Sequence, residues 1–131
     1  MLALVAVLIG GAIGTGLRLG LDDLFVVPNG AFPVSTLIIN IVGSFALGFL
    51  VARIWSIVPA WMRAGLGPGV LGGFTTFSAV MVSMVTLAAS GMVFLALVYI
   101  VVTLVLGLGA AVLGVFAGRR RRTAPEIEGD E

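Results

Sequence analysis

The chain has 131 residues, of which 60% are hydrophobic and 10% are charged, and its mean hydropathy is +1.26. An ordinary soluble domain carries about 25% charged residues, so this composition excludes a soluble globule and predicts a protein that is solvated by lipid. Cysteine and histidine are absent, which excludes a disulfide framework, a thiolate or imidazole metal site and a cysteine nucleophile.

Four apolar segments are each long enough to cross a membrane, because a helical span needs roughly 20 apolar residues. They cover about 2–24, 34–55, 61–89 and 92–117. The sequence therefore predicts an all-α membrane protein whose four helices form one domain over residues 1–118. Turn residues at 27–30 predict a short loop after the first helix, and residues 119–131 are expected to form a basic stop signal and a disordered acidic tail.

The first predicted helix carries Gly10 and Gly14, a spacing of small residues that lets helices approach closely. Arg18 lies within the same helix, before its end. Two interpretations of Arg18 stay open. Its charge draws anions into a vestibule, or its side chain reaches the membrane interface or pairs with Asp22.

The second predicted helix has a polar face, because Thr36, Asn40 and Ser44 are spaced four residues apart. Such side chains commonly form hydrogen bonds between helices. The amide of Asn40, however, has two donor hydrogens and an acceptor oxygen, which one nearby hydroxyl cannot satisfy. Asn40 is therefore either a contact between helices or a group that faces a wet, functional path.

The third predicted helix is interrupted by the sequence Gly-Gly-Phe-Thr-Thr-Phe-Ser at 72–78. Paired glycines and hydroxyl side chains weaken a helix at membrane depth, so a break over these residues is predicted. Irregular backbone is tolerated there only where protein or a watery cavity covers it, and broken helices often build ion sites. A kink that serves packing alone is the alternative.

The fourth predicted helix carries Tyr99 and Thr103 on one face and is followed by four arginines at 119–122. With four spans both chain ends lie on one side, together with Arg53 and Arg63. The positive-inside rule then predicts a multi-pass protein of the inner (plasma) membrane with cytoplasmic termini. Binding to anionic lipid is a second role for the arginines at 119–122.

The inventory of reactive side chains argues against an enzyme and against a proton-coupled transporter, since the latter uses Asp, Glu or His relays inside the membrane. What remains is a set of neutral donors: an amide, hydroxyls and the positive edges of phenyl rings such as those of Phe74 and Phe77. This inventory favours an anion that is held weakly enough to leave.

The sequence at 72–78 resembles the signature of the Fluc (CrcB) fluoride channel family. Residues 10–18 are similar to that family's first-helix motif, and Asn-Ile-Val-Gly-Ser-Phe at 40–45 is similar to its second-helix motif. The resemblance covers nearly the whole chain. It implies an antiparallel dimer of two four-helix subunits, with pores at the interface through which fluoride leaves the cytoplasm passively. Membrane lipid is an expected partner and nucleic acid is not.

The resemblance also implies roles for individual residues. Its fluoride pore contains Asn40, Phe77, Thr36, Tyr99, Thr103 and Ser78, its vestibule contains Arg18, and its structural sodium ion binds carbonyl oxygens of Gly72 and Thr75. A helix break frees main-chain carbonyls, and a hard cation takes oxygen ligands. Two breaks that meet at a dimer axis are therefore able to hold a sodium ion.

Two positions depart from the family pattern. Val80 stands where a second phenylalanine is expected, and Gly107 replaces a hydroxyl residue of the polar track. The arginines are also biased to one side, unlike those of a chain that inserts in both orientations. We therefore expect one half of a heterodimer whose oppositely inserted partner supplies the phenylalanine, with a homodimer as the alternative.

Two competing functions stay open on the sequence. One is a non-conducting assembly subunit that supports an active partner, which the valine at position 80 keeps possible. The second is a small multidrug or cation exporter, although an exporter normally needs an intramembrane carboxylate and none is visible in the predicted spans.

Overall fold

The computed structural model describes residues 1–25 and 31–119. In this part of the chain four helical spans are long and apolar enough to cross a membrane, so the predicted all-α, four-span fold is confirmed. They are α1 (Leu2–Leu24), α2 (Val34–Arg53), a composite third span (Ala60–Ala89) and α6 (Val93–Gly118). The loop predicted at 27–30 and the tail beyond Arg119 lie outside the described residues.

The third span is built from four consecutive pieces. They are α3 (Ala60–Ala64), a π-helical segment (Gly65–Leu71), α4 (Gly72–Phe74) and α5 (Phe77–Ala89). Pro68 lies inside the π-helical segment. Because proline has no N–H and its ring crowds the preceding turn, regular α-helical bonding is lost around it, and the wider π winding occurs there.

The break in the third span is confined to two residues. Thr75 has φ −78° and ψ 151°, and Thr76 has φ −149° and ψ 120°, so both are extended. The sequence predicted a break over the whole of 72–78. The structure keeps the residues before and after the two threonines helical, because glycine tolerates helical angles once neighbouring helices pack against it.

Helix α1 packs backbone to backbone against the third span. A Cβ atom on Gly10 would clash with the carbonyl oxygen of Gly65, and one on Gly14 would clash with that of Val70. The contacts advance along both helices together, so α1 and the third span run in the same direction. The glycine spacing noted in the sequence thus seats α1 directly beside the segment that breaks.

Helices α2 and α6 form a second close pair. A Cβ atom on Gly48 would clash with the carbonyl oxygen of Ala111, and one on Gly114 would clash with that of Phe45. These helices also run in the same direction. As a result the starts of α1 and the third span lie at the end of the bundle where α2 and α6 finish, and the basic residues 53, 63 and 119 share that end.

The turn between α5 and α6 fixes the core next to the break. Gly91 adopts φ +81°, and the N–H of Met92 donates to the carbonyl of Leu87, as in a Schellman motif. The helices it joins enclose a core whose buried members include Val80 and Tyr99. This core lies next to the polar residues at the break.

Candidate functional site

Asn40 of α2 pairs with the main chain at the break. Its Nδ2 donates to the carbonyl oxygen of Thr76 at 3.0 Å, and its Oδ1 accepts from the N–H of Thr76 at 2.8 Å. One amide side chain therefore satisfies both main-chain groups of the residue that leaves the helix. Because buried main-chain groups are costly when unpaired, Asn40 stabilises the interruption itself.

The same pairing releases two carbonyl oxygens. In a continuous helix the N–H of Thr76 would donate to Gly72, and that of Ala79 to Thr75. Here the N–H of Thr76 donates to Asn40, and that of Ala79 donates to Thr76 Oγ1 at 3.2 Å. The carbonyls of Gly72 and Thr75 thus lose their helical donors. Such groups are the oxygen ligands that hard cations prefer, so the two residues predicted to bind sodium fit that ion.

Arg18 of α1 also contacts the break. Its Nε donates to the carbonyl oxygen of Gly73 at 3.3 Å, and the side chain is partly buried. Gly10, Gly14 and Arg18 are spaced four residues apart, so Arg18 continues the packed face of α1 to the level of the break. The structure places Arg18 against the main chain of the third span, and its vestibule role stays a prediction.

An open cavity of about 280 Å³ lies beside the break. Helices α2, α5 and α6 and the break itself contribute its lining, which includes Asn40, Ser44, Thr75, Thr76, Phe77, Val80, Thr103, Gly107 and Leu108. Thr103 lines the cavity, but its Oγ1 is itself buried and has no hydrogen-bond partner within residues 1–25 and 31–119. Asn40 keeps a second amide hydrogen after its bond to Thr76. The cavity therefore offers neutral donors, and no carboxylate is among the described residues that line it.

Phe77 and Ser78 lie at the start of α5, immediately after the break. The side chain of Phe77 is 64% exposed and borders the cavity. Ser78 is exposed, and its hydroxyl lies 3.0 Å from that of Thr76. A large exposed ring beside an open cavity marks a surface that lipid or another protein chain covers.

Two of the predicted pore residues lie deeper. Tyr99 is 0% exposed, its ring packs edge-on against Phe32 with centroids 5.3 Å apart, and its hydroxyl has no partner in the described part of the chain. Thr36 is also buried. The structure thus brings Asn40, Phe77 and Thr103 to the cavity and leaves Thr36 and Tyr99 in the core of the subunit.

Ser44 lines the cavity although the resemblance gave it no pore role. A Cβ atom on Gly107 would lie 3.7 Å from Ser44 Oγ, so the two positions face each other across α2 and α6. A hydroxyl group on α2 therefore lies next to the position on α6 where the resemblance leads us to expect one. In the sequence, the spacing of four residues between Asn40 and Ser44 was the signal that both lie on one helix face.

Val80, at the position of the missing phenylalanine, is only 1% exposed. It belongs to the buried core with Leu87 and Tyr99, while one side of it borders the cavity. The valine side chain at position 80 therefore packs against other side chains of its own subunit.

The fold and site define a class: small four-span membrane proteins with a broken helix beside a cavity of neutral donors. A family model described as "CrcB-like protein, Camphor Resistance (CrcB)" matches residues 5–115. The chain belongs to the CrcB family.

Three curated relatives are similar over most of their length. "Fluoride-specific ion channel FluC 2" of Halalkalibacterium halodurans is 45% identical, with 91% of each chain covered. A protein of the same name from Nocardia farcinica is 37% identical over 88% of this chain and 84% of its own. "Fluoride-specific ion channel FluC" of Parabacteroides distasonis is 36% identical over 91% of this chain and 94% of its own.

These matches confirm the resemblance stated from the sequence and the prediction that the chain is not an enzyme. The relatives are named as ion channels, which gives the exporter hypothesis no support. The relatives are named as channels in their own right, and the expected heterodimer is not favoured.

Proposed function

We propose that this protein is a fluoride channel that lets fluoride leave the cytoplasm passively. Two findings support the proposal together: the relatives are named fluoride-specific channels, and the break borders a cavity of neutral donors. The observation that carries most weight is the bonding of Asn40, which uses one amide hydrogen for Thr76 and keeps the second for the cavity.

Fluoride entering the cavity exchanges water for protein donors. The free N–H of Asn40 and the hydroxyl of Ser44 donate to the anion, the buried hydroxyl of Thr103 does so once its side chain turns toward the cavity, and the positive ring edge of Phe77 approaches it. Weak, multiple contacts let an ion enter and also leave. Fluoride is small and a strong hydrogen-bond acceptor, so a narrow path lined by donors favours it over chloride.

The remaining predicted pore residues continue this path. Thr36, Tyr99 and Ser78 lie near the cavity residues along the same helices, and Thr36 and Tyr99 would have to leave their buried positions to offer hydroxyls to the ion. Arg18 adds a fixed positive charge beside the break, which lowers the cost of bringing an anion to that depth.

The working unit is a dimer of two copies inserted in opposite orientations. One subunit leaves the cavity open and Phe77 64% exposed, so a second chain is needed to enclose a conduit. The carbonyls of Gly72 and Thr75 from both copies would hold a structural sodium ion at the axis. When bound, that ion supplies a positive charge that ties the two breaks together.

The protein sits in the inner membrane with lipid around its outer helix faces. The basic residues 53, 63 and 119 lie at the end of the bundle where α2 and α6 finish, and the positive-inside rule places that end in the cytoplasm. A copy inserted in the opposite direction would place these basic residues on the other side of the membrane, against the rule. The orientation of the chain is therefore tested separately from its transport, with a reporter fused to the C-terminus.

Fluoride efflux from liposomes tests the function. The purified chain, reconstituted alone, is expected to release fluoride once valinomycin clamps the potential with potassium, and to retain chloride. Absence of fluoride efflux from a folded chain would overturn the channel. The sodium ion is tested separately, because replacing sodium with N-methylglucamine should lower the melting temperature of the dimer in detergent.

A further inference from the structure

A second groove follows the cavity along α6. It has a volume of about 290 Å³ and is lined by Ala111, Val112, Val115, Phe116 and Arg119. Ala111 lines the cavity at the break as well. The two hollows therefore adjoin at Ala111, and their lining residues follow one another along α6 from the break to the end of the helix.

Arg119 lies at the outer end of these lining residues. It is the first residue after α6, its side chain is exposed, and its guanidinium carbon lies 5.2 Å from the centre of the Phe116 ring. A cation at this distance from a ring face is attracted by it. The N–H of Arg119 also donates to the carbonyl of Val115. These contacts place one positive charge on the wall of the groove.

The remaining arginines of the described residues are placed differently. Arg18 donates to Gly73 at the break, Arg63 donates to the carbonyl of Trp55 at 3.2 Å, and Arg53 lines neither hollow. Arg119 is thus the charge in the described part of the chain that stands at the outer end of the groove.

We propose that Arg119 is the anion-collecting residue at the cytoplasmic mouth of the fluoride path, and that the groove below it is the entrance. This inference rests on the proposed function. Apart from Arg119, the groove is lined by apolar side chains, which offer an anion no hydrogen bond in place of its water. Fluoride enters it hydrated, concentrated by the guanidinium, and loses water only at the donors near Asn40. A positive charge at a mouth raises the local concentration of anions and the rate at which they arrive.

Arg119→Gln tests the proposal through its dependence on salt. At about 10 mM ionic strength the Debye length is roughly 30 Å, and at 1 M it is roughly 3 Å. A unit charge about 7 Å from the ion in water changes its local concentration by about threefold. We expect Arg119→Gln to lower fluoride current about threefold at low salt and to match the wild type at 1 M.

Two variants serve as controls. Arg119→Lys keeps the charge and should restore the current at low salt. Arg53→Gln removes a charge from the same end of the bundle but from outside the groove, and should keep most of the current. Three arginines remain at 120–122 in every variant, so the charge bias that orients the chain is kept.

The outcomes separate this inference from the channel itself. An equal loss in Arg119→Gln and Arg53→Gln would mean that surface charge alone matters, and a loss that persists at 1 M salt or in Arg119→Lys would mean structural damage. Either result overturns the role of Arg119 while leaving the channel intact. If wild type and variants all fail to conduct, the proposed function is refuted and this inference falls with it.

Discussion

Replacing Asn40 with aspartate removes a donor while keeping the size of the side chain. The hydrogen bond from Nδ2 to the Thr76 carbonyl, 3.0 Å long, is lost, and the bond accepted from the Thr76 N–H at 2.8 Å is kept. A carboxylate oxygen then faces a carbonyl oxygen across the same distance. The variant also places a negative charge on the wall of the cavity.

The two effects differ in size. Leaving the Thr76 carbonyl without its donor costs about 1–3 kcal/mol of folding free energy. Repulsion between the carboxylate and a fluoride ion about 4 Å away is about 4 kcal/mol at an effective dielectric constant of about 20. Since about 1.4 kcal/mol corresponds to a factor of ten, the repulsion alone lowers fluoride flux by roughly 1,000-fold. We therefore expect conduction to fail well before the fold does.

The assay is fluoride efflux from liposomes, paired with thermal melting in detergent. Asn40→Asp should melt at a moderately lower temperature and show no flux above empty liposomes. Asn40→Ser, which adds no charge, should lose stability because both bonds to Thr76 are altered, yet keep measurable flux. Flux in Asn40→Asp within about tenfold of wild type would refute the assignment of Asn40 to the ion path.

Three further substitutions, two of them paired with a second variant, probe the helix packing and the lining of the cavity. Gly14→Ala should lower the melting temperature by the equivalent of about 1–3 kcal/mol, because the new Cβ clashes with the third span. Gly16→Ala, with open space around it, is the control and should melt like the wild type. Equal melting of the two variants would contradict the close approach of α1 and the third span. Val80→Phe should also lower the free energy of unfolding by about 1–3 kcal/mol, because a larger ring overpacks a position that is 1% exposed. Unchanged melting with faster efflux would show instead that the ring points into the cavity. Ser44→Ala should slow efflux about fivefold through loss of one hydrogen bond of about 1 kcal/mol. Adding Gly107→Ser should restore it, since a Cβ there sits 3.7 Å from Ser44 Oγ. A double variant as slow as the single one would exclude this exchange of donors.

The spans and the approximate place of the break follow from the sequence, because apolar length sets a span and paired glycines beside hydroxyls weaken a helix. The π-helical segment does not follow. A proline in a helical pattern predicts lost bonding, but whether the chain kinks, breaks or widens depends on how closely α1 packs against it. Gly10 and Gly14 approach this part of the third span closely in the fold, and a sequence does not state which helix they meet.

The destinations of the polar side chains were predicted less completely. Spacing put Asn40 and Ser44 on one face, and the structure brings both to the cavity. The spacing could not indicate that Asn40 pairs with Thr76, or that Arg18 donates to Gly73, because both bonds join distant parts of the chain. Tyr99 and Thr103 share one face of α6, but Tyr99 packs against Phe32 in the core while Thr103 lines the cavity, and their spacing alone could not tell the two surroundings apart.

The route of the ion can be tested by blocking the cavity in a chain that has no cysteine of its own. Leu108 lines the cavity, whereas Leu113, on the same helix and comparably exposed, lines neither the cavity nor the groove. Leu108→Cys and Leu113→Cys would be treated with a bulky methanethiosulfonate, labelling would be quantified by mass, and fluoride efflux would be measured before and after. A conduit beside the broken helix predicts at least a roughly tenfold loss of efflux in labelled Leu108→Cys and unchanged efflux in labelled Leu113→Cys. Full efflux from labelled Leu108→Cys would show that fluoride crosses elsewhere.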